Sequence, residues 1–330
     1  MALPQFSIIL PVRNGASFLR EALNSALAQT YPPMEIVISD NASADETPKI
    51  CSQFAARYPQ ICYRRSECLL PVGANWNRAC RIASGEWLKL QGHDDMLHPD
   101  CLERIADELQ RQPTEWVRSL ALIGTGEEWQ FSNGARYRES VVPGHHSISF
   151  EPGAYVRAWT RGATAVPLPG MVTATIRRNV FDEQGFPEEF CHCDTFFYLR
   201  LCSRSRYLYI PKPLVVNRIQ QQSVTRTLAQ GRLTVREHQQ FFHQFLKDEG
   251  RALQLDFLSR VRLRFKPSAN AASQFAINGL LCGRHRKAWD AVSCVPIWQW
   301  PLLPVLVLRA WHRERGRMRR AGVPAHIFFH

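Results

Sequence analysis

The feature that most constrains the fold is an alternation of short apolar runs and helical patterns over the first 95 residues. Each apolar run ends in small or polar residues, and a segment with helical spacing of apolar side chains usually follows. This alternation predicts a parallel, doubly wound α/β sheet flanked by helices, in which ligands bind at the carboxyl ends of the strands. The four predicted strands are Phe6–Val12, Glu35–Ser39, Cys62–Arg64 and Glu86–Leu90.

The rest of the chain divides into a region of mixed pattern and a helical region. Two further strands are predicted at Ala121–Gly124 and Val172–Ile176, and a helix at Asp194–Leu201. After Thr225 the pattern is mainly helical. We therefore expect an α/β domain over residues 1–225 and a basic, mainly helical extension over residues 226–330, a division that a length of 330 residues allows.

Positive charge is concentrated in the predicted extension. The chain has a net charge of +12, yet residues 1–225 contain 23 basic and 23 acidic residues, so the extension carries the entire excess. A basic segment beside a neutral domain indicates an anionic partner, either a phospholipid surface or a nucleic acid. Ten cysteines without C-x-x-C pairs, and an opening without a secretory leader, favour a reduced cytoplasmic environment.

Aspartates stand at the ends of several predicted strands. Asp40 follows the second strand, Asp94 and Asp95 follow the fourth, and Asp194 begins the later helix. Because strand-end loops of a parallel sheet share one edge, these carboxylates can converge on a single cleft. Mg²⁺ and Mn²⁺ prefer oxygen ligands, usually one or two carboxylates completed by water and phosphate oxygens. A metal-bound diphosphate is therefore the expected ligand.

Two common nucleotide-binding motifs are missing from the sequence. It contains no G-x-x-x-x-G-K-[ST] loop, and no G-x-G-x-x-G follows the first predicted strand. Their absence argues against a P-loop NTPase and against a dinucleotide-dependent oxidoreductase.

Several motifs, taken together and in order, resemble family 2 glycosyltransferases of the GT-A fold. The resemblance covers roughly residues 5–225. It implies an inverting enzyme that transfers a sugar from a nucleotide-sugar donor to a hydroxyl of a saccharide or lipid-linked acceptor in polysaccharide or lipopolysaccharide biosynthesis. The matching residues are Ser7–Asn14, Ala28–Pro32, Glu35–Ser43, Asp45–Thr47, Asn77, Ser84–Asp95 and Pro99.

The resemblance also implies roles for individual residues. Pro11, Arg13 and Asp40 would line the base pocket, with Asp40 accepting a hydrogen bond from the edge of the base. Asp94 would face the ribose or the sugar, and Asp95 would be the ligand of Mn²⁺ or Mg²⁺.

Two more residues are expected in the nucleotide-sugar site, and one position departs from the family. Asn77 belongs to a matching motif. Arg218 lies in a segment that resembles the family's flexible segment after the last strand, from which an arginine can reach the diphosphate; a solvated loop is the alternative. The common Asp-x-Asp-Asp turn of the family appears here with Gly92 in its first position. Metal binding would therefore depend on the remaining pair of aspartates.

Asp194 is the residue expected to act as general base. The family often has Glu-Asp at the start of a helix, and this sequence keeps the aspartate after Cys193. A sugar hydroxyl has a high pKa and must lose its proton as it attacks the anomeric carbon. Two alternatives stay open: Asp194 as a helix-capping residue, and a synthase that loads a polyprenyl phosphate, whose phosphate acceptor needs no strong base.

The end of the sequence has the composition of a membrane-interface segment. Tryptophans border the apolar run Val295–Leu308, and six arginines follow between Arg309 and Arg320. Three prolines in the run disfavour a spanning helix. We expect peripheral attachment to an anionic surface on the inner face of the cytoplasmic membrane. A buried helical pair is the structural alternative, and nucleic-acid binding by the arginines is the least favoured one.

Overall fold

The computed structural model describes residues 3–130, 134, 136–138, 146–190, 192–219, 231–264 and 312. The strands within these residues alternate with helices in the first half of the chain, as the sequence predicts. The strands are β1 Phe6–Val12, β2 Glu35–Asp40, β3 Ile61–Arg65, β4 Trp87–Leu90, β5 Met96–Leu97, β6 Leu120–Gln130, β7 Arg136–Arg138, β8 Ile148–Phe150, β9 Ala174–Arg177 and β10 Arg206–Arg218.

The predicted helix Asp194–Leu201 lies within a longer helix, Cys193–Arg204. Residues 257–264 add a short helix near the end of the described chain. The longer helices and helical turns are α1 Leu19–Leu27, α2 Thr47–Arg57, α3 Val72–Ile82, α4 Cys101–Arg111, α5 Thr114–Arg118, α6 Ala154–Arg161, α7 Arg178–Gln184, α8 Cys193–Arg204 and α9 Gly231–Asp248.

The described strands form one ten-stranded sheet in the order β3-β2-β1-β4-β9-β6-β10-β5, with β7 beside β6 and β8 beside β10. Strands β3, β2, β1 and β4 are parallel, as predicted. Strand β9 is antiparallel to β4 and β6, and β10 is antiparallel to β5 and β8. The α/β class is therefore confirmed, and an antiparallel section extends the predicted parallel one.

Burial explains why the first strands are so clear in the sequence. All seven residues of β1 are buried, as expected for a strand covered on both faces. On α1 the buried residues are Leu19, Ala22, Leu23 and Ala26, whose spacing places them on one face of the helix. Each large aliphatic side chain buried in this core contributes about 1.5–3 kcal/mol relative to exposure. The core thus fixes β1 and β2, and with them the loops at their carboxyl ends.

The chain divides into two compact units. The first comprises Met1–Trp129, Arg138–Val156 and Thr164–Arg218 and contains most of the sheet. The second comprises the described parts of Gln130–Tyr137, Arg157–Ala163 and Ile219–His330. Phe241, Phe242 and Phe245 are buried on α9 in this second unit.

The predicted domain boundary at residue 225 and the predicted membrane segment Val295–Leu308 both lie outside the described residues. Both stay predictions. Among the helices that the structure does describe, none is long and apolar enough to cross a bilayer.

Candidate active site at the carboxyl edge of the parallel strands

The loops that follow β1 and β2 are joined by backbone-to-side-chain hydrogen bonds. The amide of Asn14 donates to Ser43 Oγ at 2.9 Å, and Asn14 Oδ1 accepts from the amide of Ala44 at 2.9 Å. The amide of Gly15 donates to Thr47 Oγ1 at 2.9 Å. These bonds fix two strand-end loops against each other, so the residues around them form a rigid edge.

Asp40 lies at the end of β2 and is fully buried. Its Oδ1 accepts from the amide of Ser43 at 3.0 Å, and its Oδ2 accepts from the hydroxyl of Tyr63 at 3.0 Å. Arg65 Nε lies 3.6 Å from the same Oδ2. The carboxylate therefore holds the ends of β2 and β3 together. Its predicted contact with a nucleotide base stays a prediction.

Pro11 and Arg13 flank the end of β1. Pro11 is buried within the strand, opposite Ser39 of β2. Arg13 is exposed and makes no hydrogen bond or ion pair with the described residues. An unpaired guanidinium at this edge suits an anionic or aromatic group of a ligand, because Arg binds phosphate by charge and stacks on planar rings.

The turn after β4 brings two carboxylates to one place. Asp95 is 5% exposed, and its Oδ1 accepts from the backbone amide of Arg218 at 2.8 Å. A Cβ atom added to Gly92 would collide with Asp95 Oδ2 and lie 3.0 Å from Asp94 Oδ1. Both carboxylates therefore face the space beside Gly92. The glycine that replaces the family's first aspartate allows the buried position of Asp95.

Burial raises the pKa of Asp95 well above its usual range, and the neighbouring charge of Asp94 raises it further. The hydrogen bond from Arg218 opposes this shift. A divalent cation beside the pair would stabilise both carboxylates in the charged form, and hard oxygen ligands suit Mg²⁺ or Mn²⁺. The donor set therefore fits such an ion. Within the described ranges, no group of three or more His, Cys, Asp or Glu side chains is placed to hold a metal.

Arg218 links β10 to this turn and to α1. Its guanidinium donates to Glu21 Oε2 at 2.7 Å and lies 4.5 Å from the centre of the Phe18 ring. Its Nε is buried and makes no hydrogen bond to any residue that the structure describes. The backbone of Arg218 thus supports Asp95, while the side chain is held by α1. To reach a diphosphate, as the resemblance implies, the guanidinium would have to leave Glu21.

His93 connects the β4 turn to the loop after β1. Its ring occupies the space that a Cβ on Gly15 would fill, with His93 Cγ at 3.1 Å from that position. This close approach explains why residue 15 is a glycine. The turn after β4 that contains Asp94 and Asp95, which we call the carboxylate turn, therefore meets the loops after β1 and β2 at one edge of the sheet.

Asn77 joins α3 to the loop before α8. Its Nδ2 donates to Phe186 O at 2.9 Å and to Glu188 Oε1 at 2.8 Å, and its Oδ1 accepts from the amide of Phe186 at 2.7 Å. Asn77 is 2% exposed. Its amide is committed to these protein contacts, so the predicted role in binding the nucleotide sugar stays untested.

Asp194 lies in the first turn of α8, where its Oδ1 accepts from the amide of Thr195 at 2.7 Å. Burial raises the pKa of Asp194, while the Thr195 amide and the charge of His192 lower it. The hydroxyl of Tyr198, one turn later, lies against Met171 Sδ at 3.6 Å. Among the described residues, no hydrogen bond or ion pair connects Asp194 with Asp95.

The structure adds three residues that the sequence did not indicate. Tyr63 and Arg65 orient the carboxylate of Asp40, and Lys89 lies in β4 just before the carboxylate turn. Lys89 is fully buried, and its Nζ donates to the carbonyls of Leu90 and Val172 at 3.0 and 2.5 Å. Burial lowers the pKa of Lys89 to about 8. The contact between Arg65 and Asp40 follows from the parallel register of β2 and β3, which no local sequence signal indicates.

The chain is similar in sequence to known glycosyltransferases. The family model described as glycosyl transferase family 2 matches residues 7–183. A glycosyltransferase of Rickettsia typhi is 38% identical over 103 residues, which are 30% of this chain and 30% of that protein. Chondroitin synthase of Escherichia coli is 30% identical over 165 residues, 47% of this chain and 23% of the synthase. The alignments thus span less than a third of these relatives.

Solved structures share the fold over most of the chain. Staphylococcus aureus TarS 1–349 in complex with UDP-GlcNAc is 17% identical and superposes with a TM-score of 0.66, covering 97% of this chain and 92% of that one. The mannosyltransferase PcManGT of Pyrobaculum calidifontis, in complex with GDP-Man and Mn²⁺, is 18% identical with a TM-score of 0.53, covering 94% and 86%. At these identities the likeness shows the fold, and it agrees with the predicted GT-A class.

Proposed function

The chain belongs to glycosyl transferase family 2, and from that premise we propose that it is an inverting, metal-dependent transferase of a sugar from a nucleotide-sugar donor. The proposed acceptor is a hydroxyl of a saccharide or of a lipid-linked saccharide. The proposed setting is the assembly of a polysaccharide or lipopolysaccharide.

The observation that carries this proposal is the carboxylate turn after β4. Asp94 and Asp95 face the same space beside Gly92, and the loops after β1 and β2 lie at the same sheet edge. Arg13 leaves an exposed guanidinium there. A nucleoside diphosphate needs these features together: a place for its base, cations for its phosphates and carboxylates for an accompanying metal ion.

The two solved relatives support the donor class. TarS has been crystallised with UDP-GlcNAc, and PcManGT with GDP-Man and Mn²⁺. Both ligands are sugars joined to a nucleoside diphosphate. We propose a donor of this class for the present chain, with Asp94 and Asp95 holding Mn²⁺ or Mg²⁺. When bound, such an ion stabilises negative charge on the departing diphosphate.

Asp194 is the proposed general base. The acceptor hydroxyl attacks the anomeric carbon, a new C–O bond forms, and the bond to the diphosphate oxygen breaks on the opposite face, which inverts the configuration. The hydroxyl proton passes to the carboxylate of Asp194, and the nucleoside diphosphate leaves with the bonding electrons. The raised pKa of Asp194 brings its proton affinity closer to that of a working base near neutral pH.

We also propose that the basic extension attaches the enzyme to an anionic membrane surface, which would place it near a lipid-linked acceptor. The support is the order of apolar, tryptophan and arginine residues at the end of the sequence. Each arginine near such a surface contributes about 1 kcal/mol, less at high salt. Flotation with anionic and neutral liposomes tests this. A chain truncated after Asp290 should no longer float with anionic vesicles, and equal recovery with and without the tail contradicts the proposal.

Donor binding is the most direct test of the proposed function. Thermal unfolding is followed with a panel of UDP-, GDP- and CMP-sugars in Mn²⁺ and in EDTA. A ligand at a hundred times its Kd stabilises the native state by about 2.7 kcal/mol. We expect one donor to raise the melting temperature in Mn²⁺ only. No stabilisation by any donor, with a folded protein, contradicts the proposal.

A further inference from the structure

An open cavity lies beside α3, and its lining includes no residue of the carboxylate turn. Its volume is about 590 Å³. One wall is the outermost strand of the sheet order, β3, which contributes Arg64. The opposite wall is one face of α3, where Ala74, Arg78, Arg81 and Ile82 follow the i, i+4, i+7, i+8 spacing of a helical stripe. We call this space the basic cavity.

Three arginines line the basic cavity, and within the described chain none is paired with a carboxylate. Arg78 donates from Nη1 to Ser39 Oγ at 2.8 Å and from Nη2 to the carbonyl of Arg65 at 2.9 Å. Arg64 donates to the carbonyl of Tyr63 at 3.0 Å. Neutral acceptors thus fix these guanidinium groups and leave their charges uncompensated.

Several other surface arginines of this protein are compensated by acids. Arg104, Arg111 and Arg118 each pair with a carboxylate three or four residues away at 2.7–2.9 Å. Among the described residues that line the basic cavity, Glu188 is the only acid, and Asn77 Nδ2 already donates to it. The lining therefore carries three cations and one carboxylate that is itself hydrogen bonded, and this excess of positive charge favours an anionic ligand.

We propose that the basic cavity binds a carboxylate or phosphate group carried by a saccharide acceptor. Guanidinium groups bind such oxyanions through paired, charge-assisted hydrogen bonds. The volume lies within the range of about 300–1,000 Å³ that is usual for small-molecule sites. Leu70, Ala74 and Ile82 supply aliphatic surface for the C–H face of a sugar ring.

The cavity borders the proposed transferase site through two contacts. Arg78 donates to Ser39, the residue before Asp40, and Glu188 accepts from Asn77. An acidic saccharide chain held in the cavity would therefore lie next to the donor site. The assignment of the ligand as an acceptor rests on the proposed function, whereas the binding of an anionic saccharide does not.

The test measures direct binding without donor or metal. Calorimetry at low ionic strength compares a hexuronate-containing tetrasaccharide, a sugar-phosphate oligomer of equal charge and an uncharged tetrasaccharide. We expect an acidic oligomer to bind and the uncharged one not to. The Arg64→Gln/Arg81→Gln variant changes two exposed side chains and should bind about tenfold more weakly, since exposed ion pairs are individually modest. The control Arg111→Gln/Arg118→Gln has the same net charge and should bind like the wild type.

A variant that keeps the net charge distinguishes binding of the oligomer inside the cavity from its attraction by the overall charge of the protein. Ala74→Phe fills the space beside α3 and should weaken binding of the acidic oligomer at least as much as the double variant does, with the melting temperature confirming that the protein is folded. The inference is overturned if the uncharged oligomer binds equally well, if no acidic oligomer binds, or if the double variant binds like the wild type. Nucleoside diphosphates are titrated into the same proteins. If none of these proteins binds a nucleoside diphosphate while the wild type still binds the acidic oligomer, the proposed function is contradicted and this inference stands.

Discussion

Replacing Asp194 with asparagine tests the proposed base while changing the structure very little. The asparagine side chain retains an Oδ1 atom that can accept the hydrogen bond from the Thr195 amide, which is 2.7 Å long in the wild type. It cannot accept the proton of the acceptor hydroxyl. A positioned general base typically contributes about 10²–10⁴-fold to the rate, or about 3–5 kcal/mol of transition-state stabilisation. Turnover should fall by that factor, and the Kd for the donor should not change.

The raised pKa of Asp194 also predicts how stability and turnover depend on pH. Burial makes the charged form less favourable in the folded protein than in the unfolded chain. Ionisation of Asp194 therefore lowers the free energy of unfolding at a pH above the raised pKa. This loss of stability disappears below the pKa that Asp194 has in the unfolded chain. Asp194→Asn should unfold at a higher temperature than the wild type at neutral pH, with the difference shrinking as pH falls. In the wild type, turnover should decline as pH falls through the raised pKa.

The assay combines initial rates, donor titration and thermal unfolding between pH 4 and 8. Glu189→Gln is the matched control, because Glu189 is an exposed carboxylate in the loop before α8. It should leave all three readouts unchanged. Near-normal turnover of a folded Asp194→Asn protein would refute the reasoning and point to another base, such as Glu188, or to a phosphate acceptor.

Two further predictions concern the packing of the site. Gly92→Ala places a methyl group against the carboxylate of Asp95, so we expect weaker metal-dependent donor binding by calorimetry with little change in fold by circular dichroism. Asn77→Ala leaves the amide and carbonyl of Phe186 without their partner, and a buried polar group left unpaired costs about 1–3 kcal/mol, which urea unfolding measures. An unchanged midpoint for Asn77→Ala would contradict its structural role.

The parallel strands and their loops could be predicted because their signals are local. The apolar run of β1 ends at Arg13, and the structure places the strand end at Val12. The turn after β4 was identifiable from the adjacent pair Asp94 and Asp95. Each of these features depends on residues that are neighbours in the sequence, which is where pattern and turn chemistry are informative.

The features that the sequence did not predict depend on contacts between residues that are far apart in the chain. Arg218 meets Asp95 across 123 positions, and no local pattern indicates that its backbone rather than its side chain supports the carboxylate. Strand β10 is 13 residues long but contains Pro211 and Pro213. Because proline is rare inside strands, its sequence does not have a typical strand pattern. The burial of Asp40 against Arg65 follows from a parallel register that the sequence does not encode locally.

In the proposed function, the carboxylate turn after β4 binds the donor diphosphate together with a divalent cation. Isothermal titration of UDP and GDP in Mn²⁺ and in EDTA, with wild type, Asp95→Asn and the control Asp100→Asn, tests it most directly. Asparagine preserves an acceptor for the Arg218 amide and removes only the charge. We expect Asp95→Asn to lose the Mn²⁺-dependent part of the affinity, while Asp100→Asn, whose partner is Arg104, should behave like the wild type. Undiminished Mn²⁺-dependent affinity in a folded Asp95→Asn protein would contradict it.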